Sequence, residues 1–299
     1  MRAVALLACL LISASTAMAT DHRPQINAGQ PATGEKQTLV LVVTKWNDNC
    51  DATNRTGWDG MLDAWYDEIT DTRDSPSGHG TKAWDEDGFY KNDDIVDSRF
   101  TDQSLVEYGD DAQNDNVDDV DAVMIGLHGS HNFDGQGAPW RGAVRTDEAG
   151  SGDCLANQNN MELGEHDVEF VHLSSCHSMC DWDENFDNWE TSFAGVHQVN
   201  GFYGLMFISW TYSSRYSGFA DDAFDIAITD AWVDQQYSNG FWTGGDDHCP
   251  VSMVAGTSTS NASTRASNEE YDYVYDDVSG TNFFEFISVG GCDPSGHNP

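Results

Sequence analysis

Three apolar runs constrain this chain more than anything else in it: Thr38–Thr44 (TLVLVVT), Asp121–Leu127 (DAVMIGL) and Val168–Leu173 (VEFVHL). Their apolar residues are largely consecutive instead of alternating. Each therefore reads as a strand covered on both faces, and strands of that kind belong to mostly parallel sheets. Helical spacing follows the first run, with apolar residues at Trp58, Met61, Leu62, Trp65 and Ile69. Phe193–Val199 fits part of a helix, and Phe202–Trp210 (FYGLMFISW) reads as a fourth strand. Phe219–Tyr237 has a helical pattern through Phe224, Ile228, Ala231 and Trp232, while Val251–Ala255 and Phe283–Val289 read as two more strands. Short strands alternating with helices predict an α/β domain with a mostly parallel central sheet of about six strands and helices on both faces. Residues 71–119 and 129–165, rich in Asp, Gly and Asn, read as connections.

The ends of the chain read differently. Met1-Arg2, an apolar run from Ala3 to Ile12 and Ala17-Met18-Ala19 have the order of a secretory leader over residues 1–19. That apolar run is too short to cross a bilayer. Residues 20–37 are polar, with Pro24 and Pro31, and are expected to form a flexible arm. The α/β domain is expected to span 38–292, followed by a tail of 293–299. The expected location is secreted and extracellular, or periplasmic in a Gram-negative cell, with no membrane insertion.

Charge narrows the partners. Asp and Glu number 51 against 13 Lys and Arg, for a formal charge of -38. Such a chain repels nucleic acids and anionic membranes. Most of the acid reads as solvated surface, of the kind that suits work at high salt. Past the leader there are six cysteines: Cys50, Cys154, Cys176, Cys180, Cys249 and Cys292. In an oxidising compartment three bridges would use them all, in any of 15 pairings.

Two segments carry chemistry. VMIGLHGSHN runs a strand into His128-Gly129, and VEFVHLSSCHSMC runs another into Ser174-Ser175-Cys176. Residues just past the ends of parallel strands gather along the edge where ligands bind. An imidazole can take a proton from a thiol and later give one to a leaving amine. Backbone N–H groups at Gly129 and Cys176 could hold an oxyanion. A glycine there lets substrate approach closely.

A strand running into His-Gly, then about fifty residues on a strand running into small residues and Cys, resembles the caspase-like cysteine peptidases. That superfamily includes caspases, legumains, gingipains and clostripain, and the overall look is closer to exported bacterial relatives than to caspases. The resemblance implies a caspase-like three-layer sandwich, His128 as the catalytic imidazole, Cys176 as the nucleophile and Gly129 as an oxyanion donor. It also implies a peptide or protein substrate, bound near Trp210, Tyr212 and Arg215 after the strand that follows the Cys strand. The caspase Gln-Ala-Cys-x-Gly pattern is absent; Ser174-Ser175-Cys176-His177-Ser178 stands in its place. From net charge alone, an acidic cleft would favour a basic side chain beside the cut.

Other readings use the same residues. Cys176 also reads as half of a disulfide in a non-catalytic extracellular binding module, with Cys180 or Cys154 among the candidate partners. His128, His131, Cys176, His177 and Cys180 offer imidazole and thiolate ligands for zinc, though not at the usual paired spacings. His131, His172 and His177 read as supporting groups, with His172 placed to act behind the thiol. No cofactor is expected. The acid runs Asp85-Glu86-Asp87-Gly88 and Asp110–Asp121 could hold a surface calcium, although neither follows the EF-hand order.

Overall fold

A computed structural model describes residues 36–46, 50, 52–71, 84–92, 95–106, 109, 116–130, 139–145, 154–179, 185–240, 247–278 and 283–294. The leader, most of the arm, Asp110–Asp115, His131, Cys180 and residues 295–299 lie outside these. The first apolar run becomes strand β1 (Lys36–Val42), two residues longer at its start than the expected domain boundary. The second becomes β3 (Ala122–Gly126) and the third β7 (Phe170–Ser174), each buried at every position. Two-sided burial explains why these strands lack alternation.

The large sheet has seven strands. Besides those three it contains β2 (Trp84–Lys91), β8 (Gln198–Tyr203), β9 (Cys249–Gly256) and β10 (Phe283–Ser288). Their order is β10-β9-β8-β7-β3-β1-β2. The five strands from β8 to β2 run parallel, and β9 pairs antiparallel with both β8 and β10. A second sheet of three short strands, β4 (His128–Ser130), β5 (Arg141–Ala143) and β6 (Leu155–Asn157), grows from the end of β3.

Several expectations are corrected. Asp85–Gly88 is part of the edge strand β2, with a register shift opposite Thr38/Leu39. It forms a strand and not a loop. The stretch 129–165 holds most of β4 and all of β5 and β6. Phe193–Val199 is not helical and leads into β8, whose pairing begins at Gln198. Phe219–Tyr237 is split between α3 (Ser213–Asp222) and α4 (Ile228–Gln236).

Helix α1 (Trp58–Thr70) buries Trp58, Met61, Leu62, Trp65, Tyr66 and Ile69, as its spacing predicts. It packs on β1, β2, β3 and α3; α4 follows against α3, and α5 (Thr259–Asn268) covers β9 and β10. Alternation along β7 separates the two faces of the sheet. The Trp58 indole N–H donates to Ser174 Oγ at 2.9 Å from the α1 side, whereas the Trp140 indole N–H donates to Ser175 Oγ at 3.1 Å. Trp140 stacks on Trp189 of the short helix α2 (Asn185–Glu190), centroids 6.2 Å apart. Both faces are thus covered.

Trp58, Trp65, Trp140, Trp189 and Trp232 are all fully buried. Each tryptophan contributes roughly 4–6 kcal/mol by area, against about 1 kcal/mol or less for an exposed ion pair. Aromatic packing, more than pairs such as Lys91–Asp59, therefore holds the layers together. Two disulfides add covalent ties, Cys50–Cys154 and Cys249–Cys292. Among the described residues, no helix is long and apolar enough to cross a membrane.

Candidate functional site

The chain order places the carboxyl ends of β1, β3, β7 and β8 along one edge. β2 lies on one side of β1 and β3 on the other, so the crevice between β1 and β3 is a topological switch point. The ladder between β3 and β7 ends with Gly126 opposite Ser174. Two residues further on in each strand stand His128 and Cys176. Both line one cleft of about 570 Å³, with Gly129, Arg55, Met206 and Phe207 among its other walls.

Gly129 sets how closely the two segments meet. A Cβ at this position would lie 2.0 Å from the Cys176 carbonyl oxygen, 2.3 Å from Ser175 Oγ and 2.6 Å from the Trp140 indole nitrogen. Only a glycine lets the His segment lie against the Cys turn. That turn is itself tied down. His177 adopts φ +53°, and its N–H donates to the Gly204 carbonyl at 2.6 Å. Ser178 Oγ donates to the Ser175 carbonyl and accepts the Phe202 N–H, both at 2.9 Å.

His128 is half-buried, between the rings of Trp46 (4.6 Å) and Trp58 (5.7 Å, edge-on). Its Nε2 lies 2.7 Å from the Thr53 carbonyl oxygen. A carbonyl only accepts, so Nε2 carries the hydrogen, and Nδ1 is the basic nitrogen of the neutral ring. Burial holds the imidazole pKa below its ordinary value; the Thr53 carbonyl works against that, and the Arg55 charge works with it.

Cys176 is a free thiol, while the four other described cysteines are bridged. This removes Cys154 as its partner. Its Sγ accepts the Met206 N–H at 3.4 Å and lies 3.6 Å from the Met206 carbonyl. Burial raises the thiol pKa, opposed by the Met206 N–H and by Arg55. Among the described residues no hydrogen bond joins His128 to Cys176. The pair shares a cleft and an influential cation, Arg55, but rests apart.

The floor beneath the thiol is polar and closed. Ser174 Oγ is 2.6 Å from Tyr216 Oη. His172 lies deeper, fully buried. Asn200 Nδ2 donates to its Nδ1 at 2.8 Å, which leaves Nε2 as the donor to Tyr271 Oη at 2.8 Å. Burial pushes its pKa down to about 3, so it stays neutral. His172 belongs to this core network, and its ring nitrogens are both engaged there.

The expected substrate-binding residues lie further along the chain than the cleft wall. Leu205–Ile208 line the cleft; Trp210, Tyr212 and Arg215 do not. Trp210 is 83% exposed. Tyr212 is buried against His248, with ring centroids 5.6 Å apart. Arg215 lies over the Tyr212 ring and donates to the carbonyls of Gln235 (2.8 Å) and Tyr237 (2.6 Å). Among the described residues the lining holds no carboxylate, and its permanent charge is Arg55. The described lining gives no support to the acidic cleft expected from net charge. Thr53 and Arg55 escaped the sequence reading: Thr53 acts through its backbone, which leaves no mark in a sequence. Arg55 did offer a signal, as a rare cation in a loop right after the first core strand.

A three-ligand grouping does occur elsewhere. Asp102, Glu162 and Glu165 bring carboxylate oxygens within 4.8 Å of one another. None of the zinc candidates belongs to it, and His131 and Cys180 lie outside the described residues.

No curated protein matches the chain. Residues 80–284, more than half of the length, match a family described as a domain of unknown function, DUF6345. That span takes in β3, β7 and β8, with both His128 and Cys176, and leaves out β1 and the Thr53 loop. The chain belongs to the DUF6345 family.

Proposed function

We propose that this protein is a secreted cysteine peptidase of the caspase-like kind, with a His128/Cys176 dyad. One observation carries the reading: the free thiol and a half-buried imidazole of fixed tautomer face one cleft, at the ends of adjacent parallel strands. The order of the parallel strands and the cover on both sheet faces also support the likeness to a caspase-like three-layer sandwich.

The chemistry follows from those atoms. His128 Nδ1 takes the thiol proton as Sγ attacks the peptide carbonyl carbon, forming an S–C bond and an oxyanion. N–H groups of Gly129 and Cys176 receive the oxyanion. As the carbonyl re-forms, the C–N bond breaks and the proton on His128 goes to the leaving amine. The thioester that remains is hydrolysed by water, which gives one proton to His128 and leaves a carboxylic acid; the proton returns to sulfur. Burial keeps the resting thiol protonated, so this route needs the imidazole within reach when substrate binds. Apo geometry of this kind tightens in complexes. Arg55 suits a carboxylate or other anionic group on the residue next to the scissile bond.

The raised thiol pKa and the absence of a direct His–Cys hydrogen bond favour a second reading, a non-catalytic extracellular module on the same fold. Iodoacetamide labelling of the native protein with peptide mapping separates the two. Fast labelling of Cys176 at neutral pH that drops at least ten-fold in His128→Ala supports the dyad. Labelling at the rate of an ordinary thiol, indifferent to His128, refutes it.

A further inference from the structure

The loop between β1 and α1 brings Thr53 and Arg55 to the site on a four-residue segment, Thr53–Thr56, whose own side chains do little to hold it. Thr53, Asn54, Arg55 and Thr56 are all exposed. Among the described residues, the ties of this segment are the Arg55 N–H to the Thr44 carbonyl (2.9 Å), the Trp46 N–H to Asn54 Oδ1 (2.7 Å) and Thr53 to His128, and just before it comes one covalent bond. That bond is the disulfide from Cys50 to Cys154.

Its far end matters. Cys154 directly precedes β6, and its carbonyl accepts the Val144 N–H at 3.0 Å, extending the β5–β6 pairing. β5 pairs in turn with β4, where Ala143 lies opposite His128. The Trp46 indole N–H donates to that same Ala143 carbonyl at 3.0 Å, and the Trp46 ring packs on His128. The disulfide therefore fastens the loop bearing Thr53 to the small sheet bearing His128. Both ends of the Thr53–His128 hydrogen bond are referred to one covalently closed frame.

We propose that the Cys50–Cys154 disulfide is a positioning element of the site: it keeps the Thr53 carbonyl on His128 Nε2 and Arg55 beside the cleft. The inference rests on the dyad reading above. With the disulfide absent, the exposed loop leaves the imidazole, Nε2–H loses its acceptor, and the imidazolium that pairs with the thiolate loses its support. Cys50 and Cys154 touch no substrate and act only through Thr53, Arg55 and His128.

The test uses the full chain. Iodoacetamide labelling of Cys176, read by peptide mapping, is followed from acid to alkaline pH in the wild type, in the Cys50→Ala/Cys154→Ala double variant and in His128→Ala. Circular dichroism confirms folding. The double variant is expected to label about ten-fold more slowly at neutral pH, with its inflection about one pH unit higher, since a tenfold change in thiolate fraction is one unit of pKa. A merely structural disulfide would instead loosen the cleft and speed labelling at every pH without moving the inflection, and that result, or an unchanged profile, overturns the proposal. A wild type that ignores His128→Ala sinks the dyad reading, and the positioning inference with it. Asn54→Ala keeps both disulfides but loosens the same loop. If the double variant does not fold, this variant decides: a smaller shift in the same direction supports the proposal, and no shift overturns it.

Discussion

Gly129→Ala isolates the steric contact on which the site depends. The position has no left-handed backbone angle, so alanine is tolerated conformationally and the whole effect is one of space. The new methyl group would sit 2.0 Å from a backbone carbonyl oxygen and 2.3 Å from a buried hydroxyl. Neither is the end of a flexible chain, so the β4 segment and the Cys176 turn must move apart. Overpacking of this kind costs about 1–3 kcal/mol. The Trp140–Ser175 hydrogen bond lies in the path of the movement, and its loss adds about 1 kcal/mol. The total of roughly 2–4 kcal/mol lowers the melting temperature by about 5–15 °C in a domain of this size. Differential scanning fluorimetry reads it directly. Gly60→Ala is the companion: the site on α1 is open, with nothing within 4 Å. There the change should stabilise by about 0.5–1 kcal/mol through helix propensity. A Gly129→Ala protein that melts within about 2 °C of wild type would refute the packing argument.

Other expectations follow from the buried charges and the acid surface. Burial pushes the Glu169 carboxyl up to about 9, with Asp121 adding to the shift and Lys36 opposing it. A folded pKa above the unfolded one means that the native state holds the extra proton, so stability falls as pH rises toward 9. Between pH 6.5 and 8.5, above the Asp118 and Asp121 carboxyls at about 6, the melting temperature should decline in wild type and flatten in Glu169→Gln; equal slopes would refute this. With a formal charge of -38, the melting temperature should rise between 0.1 and 1 M NaCl, as the screening length falls from about 10 to 3 Å; a flat response would mean that self-repulsion is not the main cost. Tyr271→Phe removes the hydroxyl shared by His172 and the Trp65 indole N–H, and should cost about 1–3 kcal/mol in denaturant unfolding; a neutral result would mean that the buried network relaxes around the gap.

What the sequence reveals here depends on whether a residue acts by its side chain in a regular element. β1, β3 and β7 are legible because both of their faces are buried, and α1 because one face is. β2 is not: it is an edge strand, and the acids that make Asp85 and Glu86 look like a loop serve as the charged guard of an exposed edge. β8 is hidden by chemistry. Its buried Asn200 serves the His172 ring and accepts from the Gln198 side chain, so the strand lacks an apolar pattern, while Val196 and Val199 mimic helical spacing. β4 to β6 are three residues each, too short to show a period.

The same rule governs the site. His128 and Cys176 stand out because each ends a legible strand, and parallel neighbours carry such ends to one edge. Their register, Gly126 opposite Ser174, then follows from the fold and could not be read from either motif alone. The loop bearing Thr53 is the opposite case. It has no element of its own, it contributes a carbonyl and a solvent-facing cation, and its place depends on a bridge between residues 104 apart in sequence. That bridge is one of many pairings the six cysteines allow, so the partner that fixes the His128 tautomer becomes visible only once the chain is folded.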